Sequence, residues 1–263
     1  MRKFFKITSI LYRNALIRDL QLSGRVISGA LTHLMDGFVS LAIVLIVYSK
    51  TDSIGGWNFY ETLILITTMQ IIATIHSSWT KRGTASFADS LVRTGDYDFF
   101  LTKPFDPMIA VSINKPKIYN LIKLPFFIFI FFYAVSHLGH TIPLINFAWF
   151  IFSFVCGFLL YYAIRIITIV PAFWIIKSWS LTMITERIQN IIKYPATIYP
   201  RMMAIILSTL FPIFAIAYFP VRTLLFEPKL SYIIYMIVVT IVFLAIARFL
   251  WKIGEKGYTS ASS

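Results

Sequence analysis

Charge is scarce in this chain, and acidic charge scarcest. Asp, Glu, Lys and Arg make up 13% of the 263 residues, with 11 acids against 24 bases; soluble domains carry about 25% charged residues. Hydrophobic residues reach 58% and mean hydropathy is +0.78, which leaves too little polar surface to solvate a globule of this size. A bilayer removes that need, because lipid is as apolar as the side chains facing it. Cysteine occurs once, as Cys156 inside an apolar run. It excludes an intrachain disulfide and a multi-cysteine zinc site, and reads as a small buried hydrophobe. Chemical motifs are missing too. There is no GxxxxGK[ST] loop to cradle phosphates, no HExxH and no GxSxG. His137 and His140 stand three apart beside a turn without a nearby acid, short of the three or four ligands zinc takes. No catalytic, cofactor-binding or metal site is expected on these residues.

What the chain does have is long apolar runs. About 20 such residues cross the hydrocarbon of a bilayer. Spans are expected at about Val26–Tyr48, Trp57–Trp79, Ile118–His137, Leu144–Ile176 and, as the last span, 232–251. Arg165 and Pro171 interrupt the fourth run, which is longer than one crossing requires and so tilts, kinks at Pro171 or turns near Arg165. Trp57 and Tyr60 read as interfacial aromatics. The fold class expected is all-α: a single polytopic membrane domain of about six transmembrane helices, with no room in 263 residues for a soluble ATPase.

The basic excess follows from the same reading. Net charge is +13, yet the bases cluster at span ends, where the positive-inside bias puts them; no nucleic acid is implied as a partner. Residues 1–25 hold six bases without a compact apolar core or cleavage site, so they read as an amphipathic interfacial helix lying on the lipid membrane and not as a signal peptide. Basic flanks place the 81–114 loop and both termini in the cytoplasm, while 138–143 carries no Lys or Arg and faces outside.

Residues 177–228 admit two readings. Lys177, Glu186, Arg187, Lys193 and Arg201 make 177–201 polar, and Pro212 and Pro220 interrupt 202–225. Either 177–201 is interfacial and 202–225 is span 5, or about 178–198 crosses the bilayer facing protein while 201–225 is a re-entrant hairpin on the outer side. Broken helices are tolerated at membrane depth where protein covers them. Asp36, Arg165 and Lys177 are the ionisable residues within apolar runs, and burial of such groups is costly enough to make them candidates for a functional path or for ion-paired packing. In 91–104 a glycine-acid turn leads to a short amphipathic helix that stops before Pro104, with charges alternating among Tyr97, Phe99 and Phe100; this suits docking onto a cytoplasmic protein.

Three stretches resemble one family. Arg93, Gly95, Asp96 and Asp98 lead through Leu101 to Lys103 and Pro104; Tyr194-Pro195 and Tyr199-Pro200 run on through Pro212, Tyr218 and Pro220 to Leu225; and Trp251, Gly254 and Gly257-Tyr258 precede Ser260-Ala261-Ser262. In this order they are similar to the ABC-2 type permease subunits of ABC exporters, in a branch whose members often pair with a second, non-identical permease. Ser262-Ser263 departs from the glycine that relatives often have there. The resemblance implies a cell-membrane permease that dimerises with an identical or paralogous subunit and is served by separate ATP-binding cassette ATPase subunits, which hold ATP and Mg. It implies an ATPase-coupling role for Arg93, Gly95, Asp96, Asp98, Lys103 and Pro104. It also implies a re-entrant element before the last span. The rivals are a secondary transporter or channel working without an ATPase, and a membrane scaffold. Inverted repeats would favour the transporter, and none is evident.

Overall fold

The computed structural model describes residues 23–175 and 179–259, together with Ser9, 12–15 and Ile17; at 23–30, 32–34, 36, 179 and 181 it describes the backbone only. Most of the interfacial helix expected over 1–25, the Asp36 side chain, Lys177 and the tail beyond 259 therefore lie outside the described residues. Ser9, 12–15 and Ile17 are helical.

Among the described residues every regular element is helical. Helix α1 (Ser23–Tyr48) is followed by a turn in which Ile54 and Trp57 bridge one another. Helix α2 (Phe59–Trp79) starts at a capping box: Asn58 Oδ1 accepts from the Glu61 amide at 3.0 Å and Glu61 Oε2 from the Asn58 amide at 2.8 Å. Short pieces come next: α3 (Lys81–Ser86), a π turn at Phe87–Leu91, α4 (Val92–Thr94), α5 (Asp98–Leu101) and α6 (Pro107–Ile113). A 3₁₀ stretch at Ile118–Lys123 runs into α7 (Leu124–Ser136), and α8 (Leu144–Ile169) continues as 3₁₀ to Phe173. Then come α9 (Trp179–Ile192), α10 (Arg201–Thr209), α11 (Tyr218–Leu225) and α12 (Leu230–Lys256).

Among the described residues four stretches are long and apolar enough to cross a membrane: Phe59–Trp79, Ile118–Ser136, Leu144–Phe173 and Leu230–Lys256; Gly37–Tyr48 is a shorter apolar part of α1. Residues buried on every side of α2, from Leu63 to Thr68, make it the centre of the bundle. It packs on α7, and α8 packs between α11 and α12. The fourth run neither turns nor kinks at Arg165, which sits within continuous helix; the backbone tightens only at Val170–Phe173, where Pro171 removes an amide donor. Trp57 is no interfacial aromatic. It is 3% exposed, with its ring 5.3 Å from Tyr218 and 6.1 Å from Phe226, because the chain beyond α10 returns over it.

The bundle has two chemically distinct ends. One, here the basic end, carries Lys81, Arg82, Lys115, Lys117 and the last turn of α12. The far end carries 49–58 and 137–143. Between them α9 passes Arg165 at its midpoint, where Thr185 accepts from the guanidinium, and the chain after it reaches the far end, where Thr197 Oγ1 donates to the Gly55 carbonyl at 2.7 Å. The following segment dips inward. Ile213–Ala217 are all buried, and the Ile216 carbonyl lies so close to α8 that a Cβ on Gly157 would stand 2.2 Å from its oxygen. The chain then climbs through α11 to Leu224 and Phe226, whose carbonyls accept from Asn146 Nδ2 at 3.2 and 3.3 Å in the first turn of α8. Asn146 to Gly157 is about 16 Å along a helix. The segment thus leaves the far end, reaches about three turns down α8 and returns to the same end.

Candidate functional site

Two places carry the polar chemistry, and the first is the segment between α2 and α7. Gly95 adopts φ +79°, the left-handed conformation that a side chain disfavours, and so ends α4 and turns Tyr97 inward. Tyr97 is fully buried. Its ring meets Phe87 at 5.5 Å and Phe173 at 5.4 Å, and its hydroxyl donates to Glu255 Oε1 at 2.8 Å in the last turn of α12. Burial, then this carboxylate, holds the Tyr97 phenol well above its ordinary pKa. Trp251 packs 4.7 Å from Phe87 and 5.3 Å from Phe173, and Gly254 allows Phe173 to lie against α12: a Cβ there would stand 2.2 Å from its ring. Asp106 caps α6 through the Ile109 amide and pairs with Arg248.

On this aromatic base α5 shows an outer face. Phe100 is buried beneath, while Phe99 is 66% exposed and Leu101 43%. The Lys103 ammonium lies 4.5 Å from the Phe99 ring centre and 4.3 Å from that of Phe100, and partial burial lowers its pKa. Arg93, Asp96 and Pro104 are exposed around it, Gly95 is buried, and Asp98 opens α5 half-buried. Thr94 Oγ1 donates to Asp96 at 2.7 Å, which stiffens the turn.

The second place is an open polar cavity of about 420 Å³ lined chiefly by α1, α2, α8 and α9. At its basic end Arg165, 2% exposed, donates from Nε to Thr84 Oγ1 at 2.6 Å, from Nη1 to Thr185 Oγ1 at 2.9 Å and from Nη2 to the Lys81 carbonyl at 3.1 Å. Three elements meet on one guanidinium. Lys81 also pairs with Glu186 at 2.8 Å. Tyr161 donates to the Thr185 carbonyl and accepts from Gln189. At the deep end Ser40 accepts from Lys193 Nζ at 3.0 Å and from Gln70 Nε2 at 3.4 Å. His76 Nε2 lies 3.0 Å from the Phe158 carbonyl, which can only accept; Nε2 therefore carries the proton, and Nδ1 accepts from Thr80 at 3.1 Å.

A family model described as ABC-2 family transporter protein matches residues 34–262. The chain belongs to the ABC-2 transporter family. No curated protein and no solved structure matches it. As an ABC-2 permease it is the membrane component of an ABC transporter and a multi-pass membrane protein, and its family works with ABC ATPases in general.

Within this permease the residues singled out from sequence fall apart into two groups. Those from Arg93 to Pro104 come together on one surface, anchored to α12. Arg165 stands apart from them, in the cavity wall. The cavity also uses residues that sequence reasoning passed over: Ser40, Gln70, His76, Tyr161 and Gln189. A signal existed. Thr182, Thr185, Glu186, Gln189 and Lys193 recur at helical spacing, as do Gln70, Thr74 and Ser77, and as do Tyr161 and Arg165. Each stripe marks a polar face turned toward protein.

The Arg165 clamp yields a direct expectation. Lysine keeps the charge but cannot aim donors at three partners. Hydrogen bonds from charged groups contribute about 1.5–3 kcal/mol each, so Arg165→Lys should cost on the order of 3 kcal/mol. Thermal unfolding of the detergent-solubilised chain, followed by size-exclusion fluorescence, should show the midpoint falling by roughly 5–10 °C. An unchanged midpoint would mean that α3, α8 and α9 are held otherwise.

Proposed function

We propose that this permease is the transmembrane subunit of an ATP-driven exporter in the cell membrane. It works as a dimer with an identical or paralogous permease, and separate ATP-binding subunits dock at its basic end. The concentration of Lys and Arg at that end supports a cytoplasmic orientation for it, with both termini on the same side. The descent of Ile213–Ala217 to Gly157 and the course of α9 support 178–198 as the fifth crossing and 201–225 as the re-entrant hairpin.

One observation carries the coupling assignment. The exposed face formed by Phe99, Leu101 and Pro104 sits on a buried aromatic base that continues into the end of α12. A push on this face reaches the last span through Tyr97, Phe87 and Trp251, and closure of the ATPases then biases the permease pair between access states by differential affinity for them. ATP and Mg act on the partner.

The test is capture of the ATPase from native membranes by the tagged chain. Phe99→Asp with Leu101→Asp buries two charges where the partner expects apolar surface, and should weaken capture by on the order of 100-fold or more. The variant chain should still elute as one symmetric peak. An ATPase recovered at the wild-type ratio would remove the coupling role from this face.

A further inference from the structure

The outer face of α5 holds a cation whose surroundings are incomplete. Helix α5 ends at Leu101 and the chain turns at once: the Lys103 amide donates to the Phe100 carbonyl at 3.4 Å, and Thr102 Oγ1 to that of Phe99 at 3.0 Å. The turn carries the Lys103 ammonium to 4.3 Å from the Phe100 ring centre and 4.5 Å from that of Phe99. Buried Tyr97 and Phe100 before it and the ring of Pro104 after it fix the backbone from which it projects.

Among the described residues no carboxylate stands within ion-pair distance of this ammonium, and no oxygen accepts from it. The acids nearest in sequence are engaged elsewhere: Asp96 accepts from Thr94, and Asp106 pairs with Arg248. Other bases of this end are better placed. Lys81 pairs with Glu186, Lys115 donates to Ser86, and Arg82 and Arg93 are exposed to water. Lys103 is instead half-buried, and loss of hydration lowers its pKa with no neighbouring acid to oppose it. Aromatic faces attract a cation without neutralising it, so water completes its solvation in the free chain. A partner that covers Phe99 and Leu101 expels that water. An ammonium left dry and unpaired is costly, so purely apolar surface is rejected here and an acid within apolar surface is selected.

We propose that Lys103 is the recognition point for a carboxylate of the ATP-binding subunit, an Asp or Glu set in an otherwise apolar groove whose walls cover Phe99 and Leu101. This rests on the docking role of the face. The two rings hold the ammonium in place before the partner arrives, so little side-chain freedom is lost on pairing. The apolar contacts supply area, and the single charge supplies register and discrimination among ATPases.

The ATPase captured from native membranes is purified, and its affinity for the full-length permease in phosphatidylcholine nanodiscs is measured at low and high salt. Lys103→Gln keeps a donor and loses the charge. It should bind on the order of 100-fold more weakly at low salt, with a shallower salt dependence than the wild type. Lys103→Arg should stay within about tenfold of the wild type. Lys103→Glu should all but abolish binding, and replacing one surface acid of the ATPase by lysine should restore it. That rescue is independent of folding, since a collapsed face is not restored from the partner's side. Wild-type affinity and salt dependence in Lys103→Gln, or failure of every such replacement to rescue Lys103→Glu, would overturn the proposal. So would a loss seen only in nanodiscs containing phosphatidylglycerol, which would assign the ammonium to a lipid phosphate. Phe99→Asp with Leu101→Asp separates the two levels. If that variant also binds as the wild type does, the docking face itself is misplaced; if it loses binding while Lys103→Gln keeps it, the face stands and the carboxylate is wrong.

Discussion

Gly157→Ala is expected to leave little of this permease folded. The added Cβ would stand 2.2 Å from the Ile216 carbonyl oxygen and 3.1 Å from that of Ala215. Both obstacles are backbone, so no rotamer change relieves them. Over-packing a core by a methylene costs about 1–3 kcal/mol where side chains can shift; here α8 or the whole 213–217 turn must move. That turn buries Ile213, Phe214, Ala215, Ile216 and Ala217, and backing it out exposes them together with α11. Set against total stabilities of ~5–15 kcal/mol, the loss should appear as aggregation on solubilisation and a severely lowered thermal midpoint. Gly139→Ala separates sterics from the loss of a glycine. Nothing lies within 4 Å of its Cβ, but φ is +75°, so a cost of about 1–2 kcal/mol is expected there. A Gly157→Ala chain with wild-type yield and midpoint would mean that the returning segment does not reach this depth.

The depth of that segment shows what the residues disclose and what they hide. Apolar runs announced α2, α7, α8 and α12, because hydrocarbon thickness imposes a length that composition reveals directly. The turn at Gly95 was legible because glycine takes the left-handed conformation without steric cost and here precedes an acid and a short charged amphipathic stretch. Residues 177–228 resisted because average hydropathy discards direction. Helix α9 carries Thr185, Glu186 and Gln189, with Lys193 just beyond its end, on a face turned toward Arg165, Tyr161 and Ser40, so its mean polarity resembles that of a surface segment. Trp57 misled for the complementary reason. Its position at a span end fits an interfacial anchor, but the chain that covers it returns some 160 residues later. Arg165 was conspicuous by burial, yet its partners Thr84 and Thr185 lie 81 and 20 residues away, and nothing local names them. Polar stripes at helical spacing are visible in single helices; that they enclose one cavity is known only once the helices are placed side by side.

Trp251→Ala should act at the other end of the bundle, and more selectively. The indole is fully buried among Phe87, Phe173 and Tyr97, at 4.7, 5.3 and 6.3 Å between ring centres. Removing a buried tryptophan side chain costs about 3–5 kcal/mol. Helix α12 itself is a 27-residue apolar element that packs on α8 over most of its length, so the loss falls on what Trp251 holds against it: the π turn, α4 and α5. Other ties are the Tyr97–Glu255 hydrogen bond, the Asp106–Arg248 pair and the Phe173 ring between Tyr97 and Gly254. The second is partly exposed and contributes little, as such pairs do. Local opening of 87–101 should therefore become roughly 100-fold more frequent or more, since each 1.4 kcal/mol is a factor of ten. Arg93 is exposed within this segment, and tryptic cleavage after it tracks the open population when reclosing is fast. Cleavage there should accelerate by that factor while α12 stays intact, and Trp251→Phe should fall between the two. On the proposed coupling, a permease whose 99–104 face has come loose from α12 should still bind an ATPase but no longer convey ATP closure to the spans. Unaltered cleavage after Arg93 would show that the face is anchored independently of α12, and would remove the proposed route through Trp251 to the last span.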